Sequence, residues 1–469
     1  MAACCNAMNH SKSPAIDVSR RKFMHSLSGI GAAVAVLPGL ARGSTSARAA
    51  GTRYMGGFSA PKLDKVKVAI IGVGARGSSH CAQLAVIEGV VIVAICDLIE
   101  GRAKGSENAA KQHGHAPKVY FGTDDAWRNM MLETKPDAVF IATPWDLHAP
   151  MCVAAMKAGA HAFSEVPIAY TLKELWELVD TSEATGRHCM MMENVNYGRE
   201  ELLYLNMVRQ GVIGEVLHGE AAYIHDLRGQ MENGDTTGSW RTFQYAKRNG
   251  NLYPTHGLGP VAQYMSLARS ADNFGRLVSF SSPAKGRAIH ANQSQQLSNP
   301  EFKKLDYKGG DINTSIIKTV LGRTIMIQWD ETSPRPYTRH NLIQGTKGTL
   351  AGFPNRMAVA GITKSCHEWS NAEEWEAIAR KYEHPLFKRM GEVCKKMGGH
   401  GGMDFLMLLR IIECLRTGQP LDQNIYEGCF WSAVGPLSEA SVAQDGMPQI
   451  FPDFTRGNWQ ETAPLDIIA

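Results

Sequence analysis

The stretch VKVAIIGVGARG, residues 66–77, decides the fold of this 469-residue chain. Its β-branched first half predicts a buried strand, and its second half is a G-x-G-x-x-G motif made by Gly72, Gly74 and Gly77. Residues 77–85 predict the helix that follows. A strand, a glycine turn and a helix in this order are typical of a dinucleotide-binding Rossmann domain, because the turn lets backbone N–H groups approach a pyrophosphate at the helix N-terminus.

Asp97 completes this signature. It lies 20 residues after Gly77, at the end of the next predicted strand, residues 90–96. A carboxylate there accepts hydrogen bonds from the adenosine ribose hydroxyls and repels a 2′-phosphate, so the pattern predicts NAD rather than NADP. The alternative is a purely structural glycine turn, which the strand before it, the helix after it and the spacing of Asp97 all disfavour.

The chain divides in two by its pattern of predicted elements. Up to residue 193, short buried strands alternate with helices, which predicts a parallel sheet. Beyond it, the hairpin signal at residues 321–323 and the neighbouring strand patterns predict a largely antiparallel open sheet with helices. We therefore predict an α/β protein with a linker at 50–63, an N-terminal Rossmann domain at 64–193 and an α+β domain at 194–469.

The positive charge of the chain lies in its first 49 residues. The whole sequence has 49 basic and 45 acidic residues, a net charge of +4, but residues 1–49 hold six basic residues and one acidic residue. The remainder therefore has a net charge of −1, which disfavours nucleic acid or a membrane surface as a partner.

The same first 49 residues have the order of an export signal. Arg20-Arg21 precedes Phe23, a short apolar run follows, and Ala47-Arg48-Ala49 resembles a cleavage site. The apolar run is shorter than the roughly 20 residues that span a bilayer, so no membrane span is expected. We predict a twin-arginine-type signal peptide over residues 1–49 and a periplasmic or extracellular location. The alternative is a disordered basic tail.

No pattern in the sequence predicts a metal site. C-x-x-C pairs are absent, although eight cysteines lie beyond the predicted signal. His225-Asp226 and His400 with Asp404 each lack a third ligand at a recognisable spacing. For these polar clusters we expect helix capping or solvent contact.

Further motifs in the first domain resemble the Gfo/Idh/MocA family of nicotinamide-dependent, sugar-modifying enzymes. These motifs are Ala142-Thr143-Pro144, His148 and Ser164-Glu165-Val166-Pro167. In most of that family the last motif reads Glu-Lys-Pro, and its lysine assists hydride chemistry. Val166 stands in place of that lysine here, which argues against a dehydrogenase of the usual kind.

Where the chain departs from that pattern, it resembles glycoside hydrolase family 109, the NAD-dependent α-N-acetylgalactosaminidases. The resemblance rests on residues 145–148 (WDLH), 193–197 (ENVNY), 240–241 (WR), 248–257 (RNGNLYPTHG) and 335–337 (RPY). Tyr-Pro-Thr-His is its most specific element. The resemblance implies an enzyme that keeps NAD as a recycled cofactor and acts on a small molecule or glycan with a terminal N-acetylgalactosamine.

The resemblance also implies where the two ligands bind. For NAD, the glycine motif and the family motifs together give Gly72, Gly74, Ala75, Arg76, Asp97, Trp145, Asp146, Leu147, His148, Glu165, Val166, Asn194 and Tyr253. For the sugar, the family motifs give Tyr223, Arg241, Tyr253, His256 and Tyr337, and they place Tyr197 facing the reacting ring. Residues 194–469 would form the substrate and oligomerisation domain, with self-association through the open face of its sheet.

A recycled NAD does not fit the usual glycosidase mechanism, which uses two carboxylates, but it fits oxidation, elimination, addition and reduction with retention. In this scheme His256 and Tyr253 move the C3 hydroxyl proton and Tyr197 is the base at C2. Arg241 polarises the ketone or holds the acetamido group. The structural alternatives are a capped turn for Tyr253 and His256 and a core position for Tyr197. The alternative functions are a sugar dehydrogenase with net oxidation and a non-catalytic sugar- or nucleotide-binding protein.

Overall fold

The computed structural model describes residues 48–234 and 238–465. The first of its two sheets is parallel. Its strands are β1 (Val66–Ile71), β2 (Val90–Cys96), β3 (Lys118–Tyr120), β4 (Ala138–Ile141), β5 (His161–Ser164) and β6 (Cys189–Met191). Its connecting helices are α1 (Ala75–Leu84), α2 (Glu100–Gln112), α3 (Ala126–Thr134), α4 (Trp145–Lys157) and α5 (Leu172–Thr185). The strand order is β3-β2-β1-β4-β5-β6, so the chain reverses direction across the sheet between β1 and β4. In such sheets ligands bind at the carboxyl ends of the strands at that point.

The central strands form because their residues are apolar on both faces. Every residue of β4 and β5 is buried, and Lys67 is the one exposed residue of β1. Continuous apolar strands of this kind need helices on both sides of the sheet, which α1 to α5 supply. The predicted parallel Rossmann sheet is confirmed.

The second sheet has eight strands and is mixed but mostly antiparallel. Its strands are β7 (Val216–Ile224), β8 (Phe274–Ser281), β9 (Asn313–Thr319), β10 (Thr324–Asp330), β11 (Leu342–Gly345), β12 (Gly348–Ala351), β13 (Arg356–Val359) and β14 (Gln449–Ile450). Their order is β13-β12-β11-β7-β10-β9-β8-β14, and only the pair β7 and β10 is parallel. The predicted hairpin at residues 321–323 joins β9 to β10, and the predicted α+β domain is confirmed.

Eight further helices accompany this sheet in the described part of the chain. They are α6 (Arg199–Arg209), α7 (Gly238–Lys247), α8 (Thr255–Tyr264), α9 (Gly286–Gln293), α10 (Ala372–Tyr382), α11 (Pro385–Met397), α12 (Met403–Thr417) and α13 (Ile425–Ala443). Helix α12 returns to the first domain, where it packs on α1 and β1, and α13 packs on α5 and β6 as well as on β8. The boundary predicted at residue 194 thus separates the two sheets, but the last helices contribute to both cores.

The predicted linker is fastened to the fold. The N–H of Met55 donates to the Tyr426 hydroxyl (3.0 Å), and the Tyr54 ring stacks on the Tyr426 ring. Apart from Arg48 and Ala49, the predicted signal peptide lies outside the described residues. Within the described ranges no helix combines the length and apolarity needed to cross a bilayer. The eight described cysteines carry free thiols.

Candidate active site

A cavity of about 670 Å³ lies at the carboxyl ends of the central parallel strands and is lined by both domains. It brings together most of the residues predicted for NAD and for the sugar. Those in its wall are Gly72, Gly74, Ala75, Arg76, Asp97, Trp145, Leu147, His148, Glu165, Val166, Asn194, Tyr223, Arg241, Tyr253 and His256.

The glycine turn between β1 and α1 has no room for side chains where the backbone folds onto itself. Gly72 has a φ of +80°, and a Cβ added there would lie 2.7 Å from the Ala142 carbonyl oxygen. At Gly77 an added Cβ would lie 1.7 Å from the Gly72 carbonyl oxygen. At Gly74 an added Cβ would have only Arg102 Nη1 within 4 Å, at 3.8 Å. Gly74 caps α1 without a side-chain hydrogen bond, which leaves the helix N-terminus available to a phosphate.

Asp97 follows β2 and faces the same turn. Its carboxylate accepts hydrogen bonds from the backbone N–H groups of Val73 (2.8 Å) and Ile99 (2.9 Å). These two bonds hold the carboxylate beside the glycine turn, where a dinucleotide places its adenosine ribose. Each carboxylate oxygen keeps one lone pair for a ribose hydroxyl.

Arg76, inside the glycine motif, is the centre of a charged cluster. Its guanidinium donates to Glu165 Oε1 from Nη2 (2.9 Å) and to Asp404 Oδ2 from Nη1 (2.8 Å). His80 Nε2 lies 2.6 Å from the same Glu165 oxygen. Burial alone would raise the pKa of Glu165, but the Arg76 charge and the His80 hydrogen bond outweigh burial and hold this pKa below its ordinary value. Glu165 is therefore an anion and not a proton donor at physiological pH.

Asp404 was not among the predicted site residues. It lies at the start of α12, 328 residues from Arg76 in the chain, and also accepts a hydrogen bond from Asn194 Nδ2. His400 Nδ1 lies 2.8 Å from Asp404 Oδ2. Burial alone would raise the pKa of Asp404, but the His400 hydrogen bond and the Arg76 charge lower it overall. The sequence offered one weak signal, the polar cluster around His400, which does not act as a metal site in this arrangement.

Helix α4 supplies Trp145 and His148 to the cavity. Both ring nitrogens of His148 lie 2.7 Å from backbone carbonyl oxygens, those of Pro167 and Thr143. Burial lowers the pKa of His148, so this histidine fixes the backbone around the cavity and is a poor proton shuttle. Trp145 Nε1 is buried and has no hydrogen-bond partner among the described residues, which leaves it for a ligand.

Arg241 on α7 is the cation among the residues that the sequence analysis predicted for the sugar. It is 8% exposed, and its guanidinium carbon lies 4.6 Å from the centroid of the Tyr253 ring and 5.0 Å from that of Trp145. Its Nε has no hydrogen-bond partner among the described residues. A guanidinium held between aromatic faces keeps its charge and its donors directed at whatever occupies the cavity.

Tyr253 and Tyr223 stay protonated in this surrounding. Burial raises the pKa of Tyr253 to about 12, against the opposing charge of Arg241, and burial raises the pKa of Tyr223 well above its ordinary value. The two rings are 4.8 Å apart between centroids. Both hydroxyls therefore serve as hydrogen-bond donors, and neither is poised to accept a proton in the free protein.

His256, in the first turn of α8, is paired with the carboxylate of Glu193. Its Nδ1 lies 2.6 Å from Glu193 Oε1, and the Glu193 side chain is fully buried. The Glu193 oxygen also accepts the N–H of Val195, which holds the carboxylate in place. A carboxylate that accepts a hydrogen bond from Nδ1–H fixes the tautomer in which Nε2 carries no proton and can act as an acceptor. The sequence analysis quoted Glu193 within a motif but gave it no role.

Three predicted residues lie outside the wall of the cavity. Tyr197 is 2% exposed and donates its hydroxyl to Asp422 Oδ2 (3.1 Å), and burial raises its pKa well above the ordinary value. The core position is therefore the correct one for Tyr197, and its assignment as the base facing the sugar was wrong. Asp146 is exposed on α4, whereas Trp145 and His148 on the same helix are buried and line the cavity. Tyr337 is 42% exposed and meets the Tyr223 ring edge-on at the margin of the sugar side.

The two predicted polar clusters hold no metal-binding arrangement. The His225 ring packs edge-on against Tyr223 and Tyr337, and Asp226 accepts hydrogen bonds from Arg228. In the ranges that the structure describes, no group of three His, Cys, Asp or Glu side chains is placed to hold an ion.

Comparison with known proteins decides the family. Residues 197–461 match the description "Glycosyl hydrolase 109, C-terminal domain", and residues 66–193 match "Oxidoreductase family, NAD-binding Rossmann fold". The chain belongs to glycosyl hydrolase family 109. It is 63% identical to glycosyl hydrolase family 109 protein 1 of Akkermansia muciniphila over 90% of this chain and 88% of that one. It is 55% identical to the family 109 protein of Shewanella sp. (strain W3-18-1), over 88% of this chain and 90% of the other.

Solved structures share the fold of this family 109 protein at low sequence identity. Levoglucosan dehydrogenase, in complex with NADH and levoglucosan, superposes with a TM-score of 0.61 at 18% identity, over 83% of this chain and all of that one. The scyllo-inositol dehydrogenase of Lactobacillus casei, with NAD(H) and scyllo-inositol, gives 0.57 at 15% identity, over 82% and 99% of the chains. At this identity the comparison describes the fold alone.

NAD is the cofactor of the Rossmann domain, and the side chains present fit it. Because Gly74 provides no side-chain cap, the N-terminus of α1 is available to the phosphates of NAD. The negative charge of Asp97 disfavours the 2′-phosphate of NADP. Trp145 Nε1 is a buried donor without a partner among the described residues. The residues that fit NAD line the same cavity as Arg241 and His256, which the sequence analysis predicted for the sugar.

Proposed function

We propose that this protein hydrolyses terminal α-linked N-acetylgalactosamine by oxidation, elimination, addition of water and reduction, with retention and with NAD recycled in place. The observation that carries the proposal is the chemistry of the cavity wall. On the second-domain side the described wall residues include no Asp or Glu, while His256 is held there by the buried Glu193. This composition of the described wall supports a route to bond cleavage other than a pair of carboxylates.

The carboxylates on the Rossmann side do not replace that pair. A two-carboxylate glycosidase places one acid on each side of the scissile bond. Asp97 is engaged by backbone N–H groups, and Glu165 is paired with Arg76 and His80. Asp124 is exposed in the Rossmann half. The three described acids of the wall, Asp97, Asp124 and Glu165, thus all lie on the side of the cavity where the dinucleotide would bind.

Bound NAD supplies a reversible acceptor for the hydride at C3 of the sugar. His256 Nε2 accepts the proton of the C3 hydroxyl, and Glu193 stabilises the imidazolium that results. Tyr253, which stays protonated, donates a hydrogen bond to the C3 oxygen. The charge of Arg241 stabilises negative charge that develops on oxygen in this buried setting, where water screens it least.

A ketone at C3 makes the neighbouring C2 proton acidic, so a base in the cavity can remove it. The C1 substituent then leaves with the bonding electrons, and a C1–C2 double bond forms. Water adds to C1, a proton returns to C2, and reduction at C3 restores the sugar. Each proton taken by the protein is given back within one turnover, so the net reaction is hydrolysis.

The sugar side of the wall has the composition of a carbohydrate site. Tyr223, Trp240 and Tyr253 offer aromatic faces, and Arg241 offers donors for an acetamido or ketone oxygen. Val166 takes the position at which the wider family carries a lysine, and the described wall has no lysine. The site thus differs from that of the usual dehydrogenases of the fold, and we assign the C3 hydroxyl proton to His256 instead of a lysine.

Incubation with p-nitrophenyl α-N-acetylgalactosaminide, with and without added NAD, tests the function. We expect nitrophenol release without accumulation of NADH. Stoichiometric NADH would instead identify a sugar dehydrogenase, and no reaction across a broad panel of glycosides would identify a binding protein. As a control, His256→Ala should lower turnover about 100-fold or more with the NAD content unchanged. Equal loss of turnover and NAD would make His256 a structural residue.

We also propose that the protein is exported in the folded state with NAD already bound. The support is the arginine pair and small-residue site within residues 1–49. Cell fractionation of the wild type and of an Arg20→Lys, Arg21→Lys double variant tests this. We expect the double variant to stay in the cytoplasm, and equal export of both proteins would contradict the proposal.

Self-association through the second sheet is a further part of the proposal. Phe280 on β8 is 57% exposed and Ile316 on the adjacent β9 is 39% exposed, so the outer face carries exposed apolar side chains. Light scattering on Phe280→Lys, Ile316→Lys and wild-type protein tests the proposal. We expect a smaller particle for the variants, and an identical mass for all three would contradict it.

A further inference from the structure

Tyr337 reaches the margin of the cavity on an extended segment that pairs with the end of β7. Thr338 and Ile224 exchange two backbone hydrogen bonds (3.0 and 3.1 Å), and the Ala222 N–H donates to the Arg339 carbonyl oxygen (2.8 Å). Residues two apart in an extended segment share a face, so Tyr337 and Arg339 point the same way. Tyr337 is 42% exposed and Arg339 is 7% exposed. An aromatic ring at the margin is thus followed, on the same face, by a buried cation.

The buried guanidinium of Arg339 holds the Tyr337 hydroxyl. Its Nη1 donates to the Tyr337 hydroxyl oxygen (2.7 Å), and its Nη2 donates to Oε1 of Glu201 on α6 (2.6 Å). The Glu201 side chain is 2% exposed. The Phe353 ring packs beside the pair, with its centroid 4.9 Å from the guanidinium carbon and 5.5 Å from the centroid of the Tyr337 ring. One planar fork therefore joins a buried carboxylate to a tyrosine at the surface.

The same hydrogen-bond network reaches the helix that carries His256. Asn341 Nδ2 donates to Glu201 Oε1 (3.2 Å), and the hydroxyl of Tyr264, the last residue of α8, donates to Asn341 Oδ1 (2.9 Å). His256 lies in the first turn of that helix. The network therefore fixes Tyr337 relative to the helix that holds His256.

We propose that Arg339 and Glu201 are positioning residues, which hold the Tyr337 hydroxyl as a hydrogen-bond donor to the sugar. Arg339 uses a lone pair of the hydroxyl oxygen, which leaves the O–H proton available, and a bond received from a cation polarises that O–H. The Tyr337 ring, edge-on to Tyr223 with centroids 6.2 Å apart, bounds the margin of the cavity. The inference deepens the proposed function and rests on it, because the ligand is the N-acetylgalactosamine of that proposal.

Arg339→Lys separates the two contacts of the guanidinium. A lysine keeps a charge for Glu201 but lacks the second arm of the fork, which reaches Tyr337. We expect the NAD-loaded variant to bind N-acetylgalactosamine about tenfold more weakly, and KM for the glycoside to rise by a similar factor while kcat stays nearly unchanged. Tyr337→Phe, which removes the hydroxyl itself, should weaken binding at least as much. Adding Arg339→Lys to Tyr337→Phe should have no further effect, because the two residues act through one bond.

Arg269→Lys is the matched control. Arg269 forms a comparable buried pair with Glu427 (2.7 Å), and neither residue lines the cavity. Calorimetric titration of each NAD-loaded protein with N-acetylgalactosamine measures the affinities, and the control should bind as the wild type does. Wild-type affinity of Tyr337→Phe overturns the proposal, whether or not Arg339→Lys folds. A further loss in the double variant, or an equal loss in Arg269→Lys, also overturns it.

A measurement without sugar keeps this result distinct from the proposed function. Fluorine NMR of fluorotyrosine-labelled protein reports on the Tyr337 ring, whose signal is identified by its loss in Tyr337→Phe. Arg339→Lys should move that signal and Arg269→Lys should leave it in place. An unmoved signal in Arg339→Lys overturns the positioning role. A moved signal in a protein whose wild type does not bind N-acetylgalactosamine would contradict the proposed function and still support the positioning of Tyr337 by Arg339.

Discussion

A substitution at Gly74 should distinguish the turn's contribution to folding stability from its contribution to NAD binding. The Gly74→Ala variant should fold and gain about 0.4–1 kcal/mol, because its φ is −69° and the added Cβ would contact little of the protein. The same Cβ occupies the space that a pyrophosphate approaches, so we expect at least a tenfold loss of NAD affinity. Calorimetric titration with NAD and thermal melting of the stripped protein measure the two effects.

Gly72→Ala is the matched comparison. Its positive φ and the 2.7 Å approach to the Ala142 carbonyl oxygen should cost about 2 kcal/mol or more of folding stability. If both variants lost stability alike, or if Gly74→Ala bound NAD normally, the division of roles between the two glycines would be wrong.

At this scale the sequence predicts residues that lie within local motifs. The glycine turn, Asp97 and His256 each belong to a short pattern, and each lines the cavity. Asp404 was noted only in a polar cluster with His400. Its pairing with Arg76, 328 residues away, arises from tertiary packing and could not be predicted from a local pattern. Tyr197 fails in the opposite way. It lies in a family motif, but its side chain turns to Asp422 in the core.

A pair of buried histidines, His161 on β5 and His188 just before β6, should make the protein sensitive to acid. The rings of His161 and His188 are 5.0 Å apart between centroids. Burial lowers the pKa of His161 to about 4 and that of His188 to about 3. Between pH 6.5 and about 4 the unfolded chain therefore binds more protons than the folded one, so stability falls as the pH falls.

His188→Phe tests this and keeps an aromatic ring against Phe58. From pH 7 to pH 5 the variant should lose about 2 kcal/mol less folding stability than the wild type, as measured by urea unfolding. His113→Gln, an exposed position just after α2, is the control and should follow the wild type. Equal pH dependence in wild type and His188→Phe would contradict the assignment.

The sequence predicts the positions of strands with a strong local pattern, but it does not predict which distant elements a helix packs against. The buried runs of β1, β2 and β4 and the β9–β10 hairpin follow from local pattern and turn signals. The return of α12 and α13 to the Rossmann sheet does not, because an apolar helix face does not reveal which sheet it covers.

For the whole molecule, this shared packing predicts cooperative unfolding. Helix α12 packs on β1 and α13 bridges β6 and β8, so neither sheet keeps its core if the other melts. Calorimetry should show one transition. NAD at a hundred times its Kd should raise the free energy of unfolding by about 2.7 kcal/mol and move that whole transition upward. Two transitions, of which NAD shifts only the first domain's, would contradict this coupling.

The central claim is that one cavity holds both the NAD site and the sugar site. Hydrolysis would then proceed through a ketone at C3, which makes the C2 proton acidic. Hydrolysis of an α-N-acetylgalactosaminide in deuterium oxide tests it most directly, with mass spectrometry and NMR of the released sugar. The account predicts one solvent deuterium at C2 and none at C3. Release of N-acetylgalactosamine with ordinary hydrogen at C2 would contradict it.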